Sequence, residues 1–197
     1  MSDPRTLRTR GLLAAIGAMA ILIVFVATLV LHRGGGGVNV GDASPPMVRM
    51  AERFDVLAGK DSNRCSLAMP DVLAMSPAGR LQGSCCRSME FERYAEQERG
   101  LRAYRSLDLM PTDPYDVSVS LAQRLLDLDR SIRLSTQQSR TYDRVVALSQ
   151  EKGPCCCRCW HWDAFEGQAK ALIARNGVGA REIARIWDLE DGCGGPA

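Results

Sequence analysis

Between Gly153 and Gly167 the chain reads GPCCCRCWHWDAFEG, and no other stretch constrains its folding so tightly. Four of the eight cysteines, one of the two histidines and two of the three tryptophans fall within it. Neighbouring cysteines do not readily bond to each other, because a disulfide asks for about 5–6 Å between Cα atoms and converging Cβ vectors. Cys155, Cys156 and Cys157 therefore each need a differently directed partner. Cys65, Cys85, Cys86 and Cys193 lie far off in sequence, so completing a site here requires distant segments to fold back.

Three chemistries compete for the loop. Disulfides are the ordinary use of an even cysteine count outside the cytoplasm. A domain of about 160 residues, however, builds a core without staples, and structural scaffolds spread their cysteines. A metal suits the crowding better. Cys157-x-Cys159 and Cys156-x-x-Cys159 can each wrap one ion, and soft thiolates select Cu(I) or Zn(II) and also hold iron–sulfur clusters. An all-thiolate or nearly all-thiolate site is expected, with Cys155, Cys157 and Cys159 as principal ligands and Cys156, Cys85, Cys86 and Cys193 as further candidates. Copper(I) ranks before zinc, since zinc sites usually show two separated Cys-x-x-Cys knuckles. His161 is read as a partly exposed ring between two tryptophans rather than a ligand. Met69, Met75 and Met89 form no regular repeat and are read as core.

A thiol redox centre is the third chemistry. Arg158 inside Cys156–Cys159, and a helix start close by, both favour a thiolate. Thioredoxin-type enzymes, however, place this motif after a strand of a βαβ unit, and no strand pattern precedes it here. Ser-His-Asp order, a phosphate loop and an HExxH helix are all missing from the sequence, so enzymatic catalysis is not the expectation.

Pro154-Cys155-Cys156-Cys157-Arg158-Cys159 resembles the Pro-Cys-x-Cys-x-Cys core of the PCYCGC-motif proteins, bacterial envelope lipoproteins linked to metal handling. The preceding segment TYDRVVALSQEKG is placed as a similar helix is in that family. Cys156 stands where the family has tyrosine and Arg158 where it has glycine; the downstream elements and the lipobox are missing. The resemblance implies Cys155, Cys157 and Cys159 as the motif thiols.

Gly11 to Leu31 is a run of 21 residues without a charge. As a helix it would span roughly 30 Å, the hydrocarbon thickness of a bilayer. It exceeds the 7–15 residues of a signal-peptide core, and no small-x-small site closes it. Arg5, Arg8 and Arg10 precede it and only Arg33 follows closely, which places the N-terminus in the cytoplasm. The expected order is a basic tail (1–10), a transmembrane anchor (11–31), a Gly/Pro linker (32–46) and an extracytoplasmic domain (47–197). Beyond residue 33 the charges balance: 21 Lys and Arg (25 less Arg5, Arg8, Arg10 and Arg33) against 22 Asp and Glu (23 less Asp3). That balance gives no basic surplus for nucleic acid. Only Lys60, Lys152 and Lys170 are lysines, and this arginine bias is that of a GC-rich bacterial genome.

The domain reads as all-α. Helices are expected over Met47–Leu57, from Met89 to about Tyr104 with Ser88 as cap, and from Val119 to Ile132 with Leu121, Leu125, Leu128 and Ile132 along one face. A further helix starts at a Ser135/Gln138 capping box and stops at Gly153-Pro154. Asp163 and Glu166 form a second box opening a helix to about Arg175, and a short amphipathic packing helix covers Ala180–Leu189 with Ile183, Ile186 and Trp187 inward. Gly59 to Ser84 reads as irregular. The expected object is a membrane-anchored, soft-metal-binding bacterial envelope protein for storage, delivery or sensing, with a metal-transfer or envelope protein as partner. A disulfide-stabilised interaction domain is the alternative, and a thiol–disulfide oxidoreductase the third.

Overall fold

Pro45 and Pro46, expected to end the linker, instead open the first helix, α1 (Pro45–Ala58). A fixed φ and a missing N–H cost nothing in a first helical turn. The computed structural model describes residues 45–195. The basic tail, the apolar segment 11–31 and residues 32–44 lie outside them, and among the described residues no helix is long and apolar enough to cross a membrane.

The chain continues through a short helix α2 (Met69–Ala74), a strand β1 (Arg80–Gln82), helix α3 (Phe91–Leu101) with a 3-10 turn, and strand β2 (Asp116–Ser118). Helices α4 (Val119–Ser131), α5 (Thr136–Leu148), α6 (Trp160–Asn176) and α7 (Ala180–Glu190) follow. The domain is thus mainly helical but not purely so. The two strands pair antiparallel with Leu81 opposite Val117. Three residues are too few to show a period-two pattern, which is why the ribbon is invisible in sequence. Its placement matters, because it carries the chain from the Asn63 loop up to Cys85: Asn63 N–H donates to the Gln82 carbonyl and Gly83 N–H to the Tyr115 carbonyl, both at 3.0 Å.

Around the ribbon, α4 lies along α6, α5 packs on α7, and α3 meets α7 on its other side. The α4–α6 approach is close because Gly167 has no side chain; a Cβ there would run into the backbone of Leu125 and Asp129. The buried face of α4 is consequently Val119, Ala122, Leu125 and Leu126, all fully buried, while Leu121 and Leu128 of the expected stripe only flank it. Ile183, Ile186 and Trp187 of α7 face the core as the periodicity requires. Met69 and Met75 pack against this core, and Met89 joins a second cluster with Met50, Leu57, Tyr94 and Tyr115.

The Ser135/Gln138 capping box forms, with Ser135 N–H donating to Gln138 Oε1 at 2.9 Å and Gln138 N–H to Ser135 Oγ at 3.4 Å. Two other expected boundaries move. α3 starts at Phe91 rather than Met89, because the Ser88 carbonyl is taken by the Gly195 N–H at 2.9 Å. α6 starts at Trp160, so Asp163 and Glu166 lie inside the helix instead of capping it, and Glu166 accepts from Trp162 Nε1 at 3.2 Å. Its N-cap is Cys159 itself.

Gln168 and Glu190 lock α6 to the end of α7. Both are fully buried, and Gln168 Nε2 donates to Glu190 Oε1 at 2.6 Å and to the Leu109 carbonyl at 3.0 Å. Glu190 Oε2 and Gln168 Oε1 have no partner. Burial drives the Glu190 carboxyl well above its ordinary range, opposed only by the Gln168 N–H. A protonated Oε2 can donate to Gln168 Oε1 and close a ring of two hydrogen bonds, satisfying both orphan atoms at once.

Candidate metal centre

All eight cysteines converge on one end of the domain, brought there by four segments wired together through the backbone. The Cys65 N–H donates to the Cys85 carbonyl at 3.3 Å. Cys85 N–H donates to the Gly192 carbonyl at 3.0 Å, and Arg87 N–H to the Cys193 carbonyl at 2.8 Å. Trp160 N–H donates to the Leu67 carbonyl at 3.1 Å, tying the 153–159 loop to the first cysteine loop. Gly194 turns the C-terminal tail with φ +73°, and a Cβ there would strike the Arg87 carbonyl. Only glycine serves where a positive φ and a close backbone approach coincide.

Within this frame the sulfurs form an inner and an outer set. Cys155, Cys159 and Cys193 are buried, at 1%, 3% and 3% exposure, and Cys85 is half-buried. Cys85 and Cys193 sulfurs are 3.6 Å apart. The four form an open ring: Cys193 beside Cys85, Cys85 within 4.8 Å of Cys159, and Cys159 within 4.8 Å of Cys155. The ring polarises its members. Cys155 and then Cys85 act as S–H donors that hold the Cys159 and Cys193 thiols far below their usual range, against the burial that would raise them. By the same contacts, reinforced by burial, the Cys85 and Cys155 thiols are driven far up. Cys159 also sits at the N-terminus of α6, whose dipole favours a thiolate. Asp191 accepts the Cys193 N–H at 3.1 Å, and burial followed by the Cys193 charge pushes its carboxyl up to about 8.

The outer set is Cys65, Cys86, Cys156 and Cys157. Cys65 and Cys86 form a disulfide with Cα atoms 6.1 Å apart, so Cys86 is not a free thiol. Cys157 Sγ lies 3.2 Å from Cys65 Sγ and 3.5 Å from Cys86 Sγ. Cys156 Sγ lies 3.6 Å from Cys86 Sγ and 3.2 Å from Cys193 Sγ, joining the two sets. Cys86 and Cys156 are exposed, Cys65 and Cys157 half-buried. In the 153–159 loop the Arg158 guanidinium stacks on the Trp162 ring at 4.1 Å.

Every cysteine expected in the site is therefore brought together. Cys155, Cys157 and Cys159 lie within 4.8 Å of one another, and so do Cys86, Cys156, Cys157 and Cys193. Cys65, counted in sequence only among the distant cysteines that might fold back to complete a site and not among the named ligands, joins them. His161 departs from expectation. It is fully buried, stacked on Trp160 with ring centroids 3.9 Å apart and on Phe165 at 5.3 Å. Neither ring nitrogen has a hydrogen-bond partner, yet one lies within 4.8 Å of the Cys85 and Cys159 sulfurs. At that range it still helps to hold the Cys159 thiol down, behind Cys155 and Cys85. Trp160 is a core side chain whose Nε1 donates to Asn63 Oδ1 at 3.0 Å.

Fold and site together define a mainly helical, cysteine-rich domain with one disulfide and clustered thiols able to hold a metal ion. No family model matches the chain, and neither curated proteins nor solved structures give a match.

Proposed function

We propose that the chain binds a soft metal ion, Cu(I) first and Zn(II) second, through Cys85, Cys155, Cys159 and Cys193. One observation carries this reading. Four largely buried sulfurs from three separate segments stand in one open ring, each within 4.8 Å of the next, with a buried, unpartnered histidine beside them. A metal–sulfur bond of about 2.3 Å in a tetrahedron sets sulfurs about 3.8 Å apart, close to the 3.6 Å between Cys85 and Cys193. Cu(I) ranks first because further sulfurs crowd the ring at bridging distance, which suits the softer ion. Ligating thiols must lose their protons, so affinity rises with pH. In the cell the domain would sit on the outer face of a bacterial membrane, behind the 11–31 anchor, and store, pass on or sense the metal with an envelope protein as partner.

The Cys65–Cys86 disulfide favours a second reading, a domain stapled throughout by disulfides. Elemental analysis and thiol counting on full-length protein purified without oxygen separate the two. Bound metal with free thiols at the inner four supports the metal site. No metal and no free thiols overturns it.

A further inference from the structure

The outer sulfurs have a use that the inner ring does not require. We propose that Cys65, Cys86, Cys156 and Cys157 make a second thiolate metal site, which the Cys65–Cys86 disulfide keeps shut and a dithiol reductant opens. The proposal rests on the soft-metal reading of the inner ring.

Spacing is the first ground. The three contacts from Cys157 and Cys156 to the disulfide sulfurs measure 3.2, 3.5 and 3.6 Å. Four thiolates around one ion stand about 3.8 Å apart, so these three contacts need change by only a few tenths of an ångström. The two disulfide sulfurs, once reduced, part by about 1.7 Å. Availability is the second. While the disulfide is closed, neither Cys65 nor Cys86 carries a thiolate to offer, and Cys156 and Cys157 alone cannot fill a four-coordinate shell. Access is the third. Cys86 is exposed, unlike the buried Cys155, Cys159 and Cys193, so a soluble reductant reaches the outer set first.

The chemistry balances. A thiolate of the dithiol attacks Cys86 Sγ; the Cys65–Cys86 bond breaks and its electron pair leaves on Cys65 as thiolate. The second thiol of the reductant then attacks its own sulfur in the mixed disulfide. Cys86 departs as thiolate and the reductant as a cyclic disulfide. Two electrons pass to the protein, and two ligands appear beside Cys156 and Cys157. A bound ion then keeps all four sulfurs from re-oxidising, so metal and oxidant compete for the same atoms.

The test uses the full-length chain in detergent, without oxygen, in its disulfide form and after treatment with a dithiol that is then removed. Each form is loaded with Cu(I), and in parallel with Zn(II); bound metal is counted, and alkylation of each cysteine is timed by peptide mass spectrometry. The reduced form is expected to hold at least one more ion per chain. With the better-held metal, labelling of Cys65, Cys86, Cys156 and Cys157 should slow at least tenfold. Protection of Cys85, Cys155, Cys159 and Cys193 alone, with equal metal in both forms, would overturn this proposal and leave the inner site standing. Protection of no cysteine by either metal overturns both.

Discussion

Replacing His161 with phenylalanine separates the cost of this residue to the fold from its service to the sulfurs. The ring is fully buried and stacked between Trp160 and Phe165, a role phenylalanine can take over. What it loses is two nitrogens that have no hydrogen-bond partner. A buried, unpaired polar atom costs about 1–3 kcal/mol. Set against this, the larger ring must fit beside Gly192, where even an added Cβ would stand 3.1 Å from His161 Cε1; crowding of that kind costs about 1 kcal/mol or more. The metal-free variant should therefore gain about 1–2 kcal/mol, a rise in Tm of roughly 2–8 °C for a domain of this size. Affinity should move the other way. Removing a group that orients or polarises a ligand typically weakens metal binding about 10–100-fold, here through the thiolate character of Cys159. Thermal unfolding of the full-length chain without metal, and Cu(I) competition against a chromophoric chelator, read the two effects separately. A variant less stable than wild type refutes the argument from orphan nitrogens, and unchanged affinity refutes any part for the ring in holding metal.

Other expectations follow from the same packing. Glu190 is protonated in the fold through burial, whereas in the unfolded chain it ionises near pH 4.3. Its contribution is therefore full below about pH 4.3 and drains away as pH rises, by up to about 1.4 kcal/mol per unit, until the folded carboxyl ionises. Glu190→Gln keeps the ring with Gln168 without this slope, so urea unfolding followed from about pH 4.5 to 6.5 should drift steadily in the variant's favour; a flat difference counts against a protonated Glu190. Gly167→Ala should destabilise by about 1–3 kcal/mol, because the α4 backbone cannot yield as a flexible side chain would; unchanged denaturant midpoints would show that α4 shifts freely. Cys85→Ser should lower metal affinity at least tenfold with the helical circular dichroism intact, and wild-type affinity would remove Cys85 from the ligand set.

Local patterns carried what local forces decide. Ser135 with Gln138, and the Ile183–Ile186–Trp187 face, could be read because a cap and a helical stripe are settled within a turn or two of chain. The strands at Arg80–Gln82 and Asp116–Ser118 could not, since each exists only as the other's partner across more than thirty residues of chain. Asp163 and Glu166 match a capping box, yet the Trp160 N–H is claimed by Leu67 and helix α6 begins a turn earlier. For the site, the crowding at Cys155–Cys159 announced convergence, and Cys85, Cys86 and Cys193 arrived as expected. Which sulfurs sit inside, that Cys65 pairs with Cys86, and that His161 is sealed against the ring all depend on how the tail of the domain docks beside Cys85. No short window of sequence contains that information.

The docking of the tail has a further consequence, in chain entropy. Cys85 and Cys193 stand 108 residues apart in sequence. An ion held by both closes a loop of that length and narrows the unfolded ensemble by about 4.8 kcal/mol on the loop-closure relation, against about 3.3 kcal/mol for the 21-residue Cys65–Cys86 loop. The inner ring would thus act as the long clasp of the domain and the disulfide as its short one. Loss of metal would release the long clasp first and widen the freedom of everything between Cys85 and Cys193, helices α3 to α7 among them.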